Sequence, residues 1–184
     1  MKYNIIYADP PWQYNFSAKL DNKKIHGCAE QHYNTLSLDE LKLLPIKQMA
    51  DINCALLLWV TFPKLQEGLE LLKSWGFIYK TVAFTWVKIG NNGKPRKLLG
   101  FYTRSNAEIC LLGIKGSMHR IDTGVSQVIF SKLQHHSKKP DETRIRIVKL
   151  FGDLPRIELF SRDIFDGWDN FGNELADTKQ KYII

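Results

Sequence analysis

Asp9-Pro10-Pro11-Trp12 is the stretch whose residue types and spacing most readily do chemistry. A carboxylate followed by two prolines presents acceptors and few donors, because proline lacks an N–H and stiffens the backbone. The tryptophan offers a flat face on which a base can stack. This set suits a weak nucleophile such as the amino group of adenine, whose lone pair is delocalised into the ring. A carboxylate and a main-chain carbonyl accepting its two N–H bonds would draw the nitrogen toward an attacking geometry. Asp9, Pro10, Pro11 and Trp12 are therefore the candidate catalytic residues. The same four residues also fit a plain Pro-Pro turn closed by an aspartate.

The elements that must position this motif alternate between strands and helices. Tyr3–Ala8 reads as a strand apolar at nearly every position, as expected when both faces are covered. A polar loop follows from Asp9 to Leu36. Ser37 and Glu40 form a capping box that opens a helix, and Pro45 breaks it. Cys54–Thr61 reads as a second buried strand. Pro63–Trp75 reads as a helix with proline in its first turn and Gly76 at its end. Phe77–Lys88 and Ala107–Gly113 read as further strands, and Val128–Phe130 as a short one. Pro140–Phe151 reads as a helix, Arg156–Phe160 as a strand and Gly167–Phe171 as a last short strand. Such alternation predicts an α/β fold with a mostly parallel sheet and helices on both faces. No repeat or linker divides the chain, so residues 1–184 are expected to form a single domain. Ligands of such sheets sit at the carboxyl ends of the strands, which is where Asp9 lies.

Of the 184 residues, 44% are hydrophobic and 24% charged, an ordinary globular balance that excludes disordered, collagen-like and disulfide-scaffold classes. The longest apolar run, Cys54 to Val60, is far too short to span a bilayer. The start at Met1-Lys2-Tyr3 runs straight into a strand, so no signal peptide is expected. Three scattered cysteines, Cys28, Cys54 and Cys110, suit a reducing, cytoplasmic setting. The net charge is +7, and its distribution is uneven. From Lys88 to Lys149 there are thirteen basic and four acidic residues, so that segment carries +9 while the remainder carries −2. A positive middle on a near-neutral remainder fits a polyanion binder, and equally a solvated lysine-rich surface. If the partner is nucleic acid, Lys94, Arg96, Lys97, Arg104, Lys115, Arg120 and Lys132 are expected to track its phosphates.

Other clusters carry less. His26, Cys28, Glu30 and His32 match no familiar zinc spacing, so no metal is expected. His135 and His136 suit a positioning or phosphate-contacting role. Leu65, Leu69 and Leu72 recur at helical spacing and read as core.

Seven strings occur in order along the chain. They are Ile6-Tyr7-Ala8-Asp9-Pro10-Pro11-Trp12, Leu58-Trp59-Val60-Thr61, Trp86-Val87-Lys88 and Glu108-Ile109-Cys110-Leu111-Leu112-Gly113. These are followed by His136-Ser137-Lys138-Lys139-Pro140-Asp141-Glu142, Ile157-Glu158-Leu159-Phe160-Ser161-Arg162 and Gly167-Trp168-Asp169-Asn170-Phe171-Gly172-Asn173-Glu174. The succession, covering about residues 3 to 175, resembles the MT-A70 family of adenine-amino methyltransferases. The resemblance implies a Rossmann-like, S-adenosylmethionine-dependent fold in permuted order, with the catalytic strand first and the cofactor strands last. It implies that Asp9 and Pro10 hold the target amino group and that Trp12 helps hold the base. Tyr33 matches a tyrosine of the adenosine pocket, and Glu108 an acidic residue near the target base. Lys88 joins the substrate-facing candidates. On the cofactor side, Lys139 matches a lysine that contacts the methionine part. Arg162, Asn173 and Glu174 match ribose contacts, and Asp9, Glu158 and Leu159 complete the expected cofactor set.

Two of these implications agree with independent expectation. An acid about twenty residues past the first cofactor strand commonly binds ribose hydroxyls, and Glu174 stands near that distance from Glu158. Lys139 precedes a helix start, where backbone N–H groups favour an anion such as a carboxylate. In one respect the chain departs from methyltransferases in general: no glycine-rich fingerprint follows Glu158-Leu159-Phe160. The reading is an adenine-N6 methyltransferase using S-adenosylmethionine, cytoplasmic, of a bacterial or phage kind, with DNA as its substrate. The same chemistry on RNA is the first alternative. A catalytically inactive nucleic-acid-binding partner subunit is the second. Whether the chain acts alone, as a homodimer or with a partner is left open.

Overall fold

Strand β1, Tyr3–Ala8, carries no charged residue and is buried from Ile5 to Ala8, as its apolar run predicts. The computed structural model describes residues 1–14, 35–100, 102–134, 138–161 and 163–172. The residues between Tyr14 and Thr35, those from Asn173 onward, and Tyr33, Arg162, His135 and His136 among the candidates lie outside that set.

Helix α1 (Leu38–Leu43) opens on the predicted capping box. The Glu40 amide donates to Ser37 Oγ, and the Ser37 amide to Glu40 Oε2. Pro45 separates it from a short helix α2, Ile46–Met49. Strand β2 runs over Ala50–Val60, starting four residues earlier than expected. Its register with β1 slips between Tyr3 and Ile5, and Asn4 Nδ2 ties across to the Asn53 carbonyl at 2.9 Å. That irregularity is why the polar Asp51 and Asn53 fit a strand. Proline-containing Phe62–Lys64 forms a 3-10 turn rather than the first turn of an α-helix, and helix α3 follows at Leu65–Ser74. Gly68 lets α3 lie close on β2: a Cβ there would fall 2.4 Å from Val60 Cγ1.

Strands β3 (Ile78–Ile89), β4 (Ala107–Lys115) and β5 (Val128–Lys132) come next, then helix α4 (Glu142–Phe151) and strands β6 (Arg156–Leu159) and β7 (Asp169–Phe171). Helix α4 begins two residues later than Pro140, and β7 two later than Gly167, which has φ of +72°. Strand β6 stops at Leu159, short of the expected Phe160, because Phe160 takes a left-handed φ of +61°.

The seven strands form one sheet in the order β5-β3-β4-β2-β1-β6-β7. Only β4 runs against its neighbours; the pairs β1–β2, β1–β6, β3–β5 and β6–β7 are parallel. Alternate residues of β1 and β2 feed two cores. Ile6, Ala8, Leu56, Leu58 and Val60 pack with Leu41, Ile46, Leu71, Leu72 and Trp75 of the first three helices and their flanks. Ile5, Tyr7, Ala55, Leu57 and Trp59 pack with Ile147 and Phe151 of α4 on the other side. The expected mostly parallel sheet with helices on both faces is therefore present. Because β4 alone is reversed, its first residues share a rim with the carboxyl ends of the other six strands. Asp9 stands on that rim.

Candidate active site

The carboxyl end of β1 is an over-tied turn. Proline cannot donate, so Pro10 and Pro11 present carbonyls, and both are used within the chain: Trp12 N–H donates to Pro10 O and Leu36 N–H to Pro11 O, each at 2.9 Å. Each keeps a second lone pair. The Trp12 ring is 6% exposed and packs in the first core, with Nε1 donating 3.1 Å to the Trp59 carbonyl. This corrects the expectation of an open stacking face. A buried indole N–H requires an acceptor, and the end of β2 supplies one, so Trp12 braces the turn from beneath.

Beyond the turn lies a chain of four charges. Lys139 Nζ is 2.8 Å from Asp9 Oδ2 and 3.2 Å from Glu108 Oε2. The other Glu108 oxygen, Oε1, is 2.5 Å from Lys88 Nζ. Glu108 reaches the rim because β4 is reversed, opposite Trp86 in β3. Lys88, Glu108 and Lys139 are all buried, and two aromatic faces shelter the cations: Trp59 lies 5.7 Å from Lys139 Nζ and Trp86 5.2 Å from Lys88 Nζ. Burial alone would raise the Glu108 carboxyl, but the ammoniums of Lys139 and Lys88 outweigh it and hold it below the usual carboxylate range. Burial likewise works against the Lys139 charge, and Asp9 and Glu108 outweigh it, so the ammonium is held well above its ordinary value. The sequence points to Asp9, Lys88, Glu108 and Lys139 separately; the structure brings them into one neutral, interlocked row.

Glu158 is a different case. Its two oxygens accept from Arg144 Nη2 and Nε, both at 2.6 Å, in a buried bidentate pair. Burial raises the Glu158 carboxyl despite the guanidinium. The Arg144 guanidinium also reaches Asp141 at 3.0 Å and stacks 3.4 Å from the Phe165 ring centroid. Glu158, expected among the cofactor contacts, is thus engaged by Arg144, and the pair fastens α4 to β6. Leu159 is a core residue, 1% exposed.

The ends of β6 and β7 close on each other without a glycine fingerprint. Phe160 supplies the left-handed turn that glycine usually provides. The Ser161 amide donates to Phe171 O at 3.2 Å, and a Cβ at Gly172 would lie 2.1 Å from Ser161 O. An apolar pocket of about 230 Å³ runs along this edge, with Ile46, Met49, Leu159, Phe160 and Phe171 among its walls; Asp9 is not among them. The other expected cofactor residues, Arg162, Asn173 and Glu174, and the expected base-pocket residue Tyr33, lie outside the described residues.

Lys94, Arg96, Lys97 and Arg104 are exposed in the segment joining β3 to β4, which leaves the sheet on the Asp9 rim. Lys132 ends β5 on the same rim, paired with Ile89. Lys115 and Arg120 do not belong there, a second correction. They follow the end of the reversed strand β4, at the opposite rim; Lys115 Nζ donates to Ala50 O at the start of β2, and Ile121 N–H to Leu150 O at the end of α4. Among the described residues no three His, Cys, Asp or Glu side chains gather to hold a metal, and no helix is long and apolar enough to cross a membrane.

Sequence reasoning passed over four contributors. Trp59 accepts from Trp12, donates from Nε1 to Tyr7 Oη at 2.7 Å and lies over Lys139. Tyr14 and Thr61 share a 2.6 Å hydroxyl hydrogen bond one strand over. Arg144 pairs with both Asp141 and Glu158. For Trp59 and Thr61 the signal was available: both fall in the string Leu58-Trp59-Val60-Thr61.

The MT-A70 family profile matches residues 3–174. The Type II methyltransferase M.MunI from Mycoplasma sp is 38% identical over 192 residues, covering 97% of this chain and 80% of that protein. The human N(6)-adenosine-methyltransferase catalytic subunit METTL3 is 31% identical over 179 residues, covering 95% of this chain and 28% of that protein. The N(6)-adenosine-methyltransferase MT-A70-like protein of Drosophila melanogaster is also 31% identical, with 27% of its length covered.

Proposed function

Because the chain belongs to the MT-A70 family of methyltransferases, we propose that it transfers a methyl group from S-adenosylmethionine to the N6 amino group of adenine in DNA. One observation carries the reading: a carboxylate, Asp9, stands at the end of an interior strand, followed by two prolines and gripped by a buried lysine. We read residues 1–184 as one Rossmann-like domain in permuted order. The interior position of β1 between β2 and β6 supports that reading.

The residues present fit the cofactor. An amino acid head group is a zwitterion, and the rim offers an ammonium, Lys139, beside two carboxylates, Asp9 and Glu108. In the apolar pocket, the walls made by Leu159, Phe160 and Phe171 offer an apolar surface for a ring. When bound, S-adenosylmethionine would supply a methyl group activated by its sulfonium. Asp9 accepts one amino hydrogen of adenine, a carbonyl of the proline turn accepts the other, and the attacking lone pair is turned toward the methyl carbon. On methylation Asp9 would take the proton that the amino nitrogen sheds. Lys139 and Trp12 keep the carboxylate and its turn in place.

DNA is preferred because the similarity is higher, and extends along far more of the relative, for the type II methyltransferase than for the N(6)-adenosine-methyltransferases. The latter favour RNA as the second reading. The intact Asp9–Lys139–Glu108 row speaks against an inactive partner subunit. Buried, free Cys54 and Cys110 suit a reducing cytoplasm. Incubating the purified protein with S-adenosylmethionine and with DNA or RNA, followed by nucleoside mass spectrometry, tests this directly: N6-methyladenine in DNA is expected, and its absence from both polymers would refute the activity.

A further inference from the structure

Two large apolar side chains stand bare at the tip of the basic segment between β3 and β4. Leu99 is 80% exposed, and Tyr102 is as exposed as in an unfolded chain, at 103%. Single apolar residues on a surface need no explanation. Two within four positions, in a segment holding Lys94, Arg96, Lys97 and Arg104 and no acid between Ile89 and Ala107, do. The tip is shaped rather than slack. A Cβ on Gly100 would lie 2.1 Å from the Thr103 carbonyl and 3.0 Å from the Ser105 amide, so the chain folds tightly over that glycine. The base of the segment is pinned at one residue: Arg96 N–H donates to Lys88 O at 2.7 Å, and Lys88 N–H to Asn106 O at 2.8 Å. Lys88 is also the residue whose side chain begins the charge row leading through Glu108 and Lys139 to Asp9.

We propose that Leu99 and Tyr102 form a wedge that enters the base stack of duplex DNA when the target adenine is turned out toward Asp9. The inference rests on the proposed activity and deepens it by naming a double-stranded substrate. An adenine held inside a duplex cannot offer its amino group to the Asp9 carboxylate without leaving the stack, and its departure opens a gap. An apolar side chain and an aromatic ring on a cationic arm are the residue types that fill such gaps in nucleic acids. The four cations supply phosphate contacts on either side. The charge also argues against a second copy of this chain as the occupant. A two-fold contact through this tip would set one copy's four cations against the other's.

The test compares native with heat-denatured genomic DNA free of N6-methyladenine, scoring N6-methyladenine formed at limiting substrate. Wild type is expected to methylate the native form. The double variant Leu99→Ala/Tyr102→Ala should lose about ten- to a hundredfold more rate on native than on denatured DNA, since denatured adenines are already unstacked. Tyr102→Phe should restore most of the native rate, because the ring fills the gap without its hydroxyl. S-adenosylmethionine affinity and the melting temperature should not move. Equal losses on both forms, or no loss on either, would overturn the wedge while leaving the activity standing. So would a wild type that methylates denatured DNA alone, or a double variant that changes sedimentation behaviour, which would assign the apolar pair to a protein contact. A wild type that yields no N6-methyladenine in any nucleic acid overturns the activity and the wedge together.

Discussion

Lys139 Nζ sits 2.8 Å from Asp9 Oδ2 although the two residues are 130 positions apart in the chain. The strand that ends in the carboxylate and the segment that opens α4 are thus joined at the point where the chemistry is placed. Asp9 is 31% exposed at its side chain and Lys139 only 9%, so the carboxylate faces outward and the cation backs it.

Replacing Asp9 with alanine should remove methyl transfer while the fold persists. The lost acceptor acts chiefly on the amino group in the transition state, so the rate constant should fall by ~10²–10³. Affinity for S-adenosylmethionine should fall much less. Single-turnover rates and calorimetric titration of the cofactor make the comparison. A variant retaining more than a tenth of the wild-type rate would remove Asp9 from the reaction.

Glu108 is held by two lysines, so Glu108→Gln should destabilise the fold by about 3–5 kcal/mol, the scale for stripping one partner from a buried ionic group. Adding Lys88→Met should return part of that loss. The effect depends on pH with a definite sign. The folded carboxyl titrates below its ordinary value of 4.5. Its contribution is therefore present above that value and lost as the pH falls through the folded value. Urea unfolding from pH 3 to 7 should show the gap between wild type and Glu108→Gln widening as the pH rises. A constant gap would show that Glu108 is not charged in the fold.

What the sequence disclosed and what it hid divide along physical lines. The Ser37–Glu40 box, the core strand Tyr3–Ala8 and the leucines facing the sheet are local patterns, and all three read correctly because capping and apolar periodicity act within a few residues. The reversal of β4 did not show, since a strand buried on both faces has the same composition in either direction. That reversal moves Glu108 to the Asp9 rim and carries Lys115 and Arg120 away from it. Trp12 looked like a stacking platform because its acceptor, the Trp59 carbonyl, is 47 residues away. The engagement of Glu158 was hidden because nothing local marks Arg144 as its partner. Phe160 at φ +61° leaves no trace in composition, since glycine, not phenylalanine, is the residue that signals such a turn.

The Arg144–Glu158 pair fastens α4 to β6, and it is buried at both ends. Arg144→Ala should lower stability by about 3–5 kcal/mol by leaving the carboxylate alone. Arg144→Met/Glu158→Leu should be markedly more stable than the single variant, because both charges leave together. Chemical denaturation measures both. A double variant no better than Arg144→Ala would show that packing against Phe165, not charge, is what the arginine supplies.

Cys54 and Cys110 are fully buried, and burial raises both thiols, Cys54 to about 12 and Cys110 well above its ordinary value. Thiolate is the reactive form. In a Cys28→Ser variant, both should resist a chromogenic disulfide reagent at pH 8 and react fully once urea is added. Rapid reaction in the native state would mean that the sheet opens around β2 and β4.

The two rims make a built-in control for the electrostatics. Lys94, Arg96 and Lys97 leave the sheet on the Asp9 side, whereas Lys115 and Arg120 leave it on the other. Phosphate contacts release counterions, so each one lost flattens the slope of log affinity against log salt by roughly 0.7–0.9. Neutralising Lys94, Arg96 and Lys97 together should flatten the slope for any adenine-containing DNA, because such contacts carry affinity without sequence. Neutralising Lys115 and Arg120 should leave it nearly unchanged, although the net charge falls by a similar amount. Fluorescence anisotropy titrations across a salt series distinguish a surface that docks phosphate from one that only contributes overall charge. Equal flattening by both sets would mean that DNA follows net charge rather than the Asp9 rim.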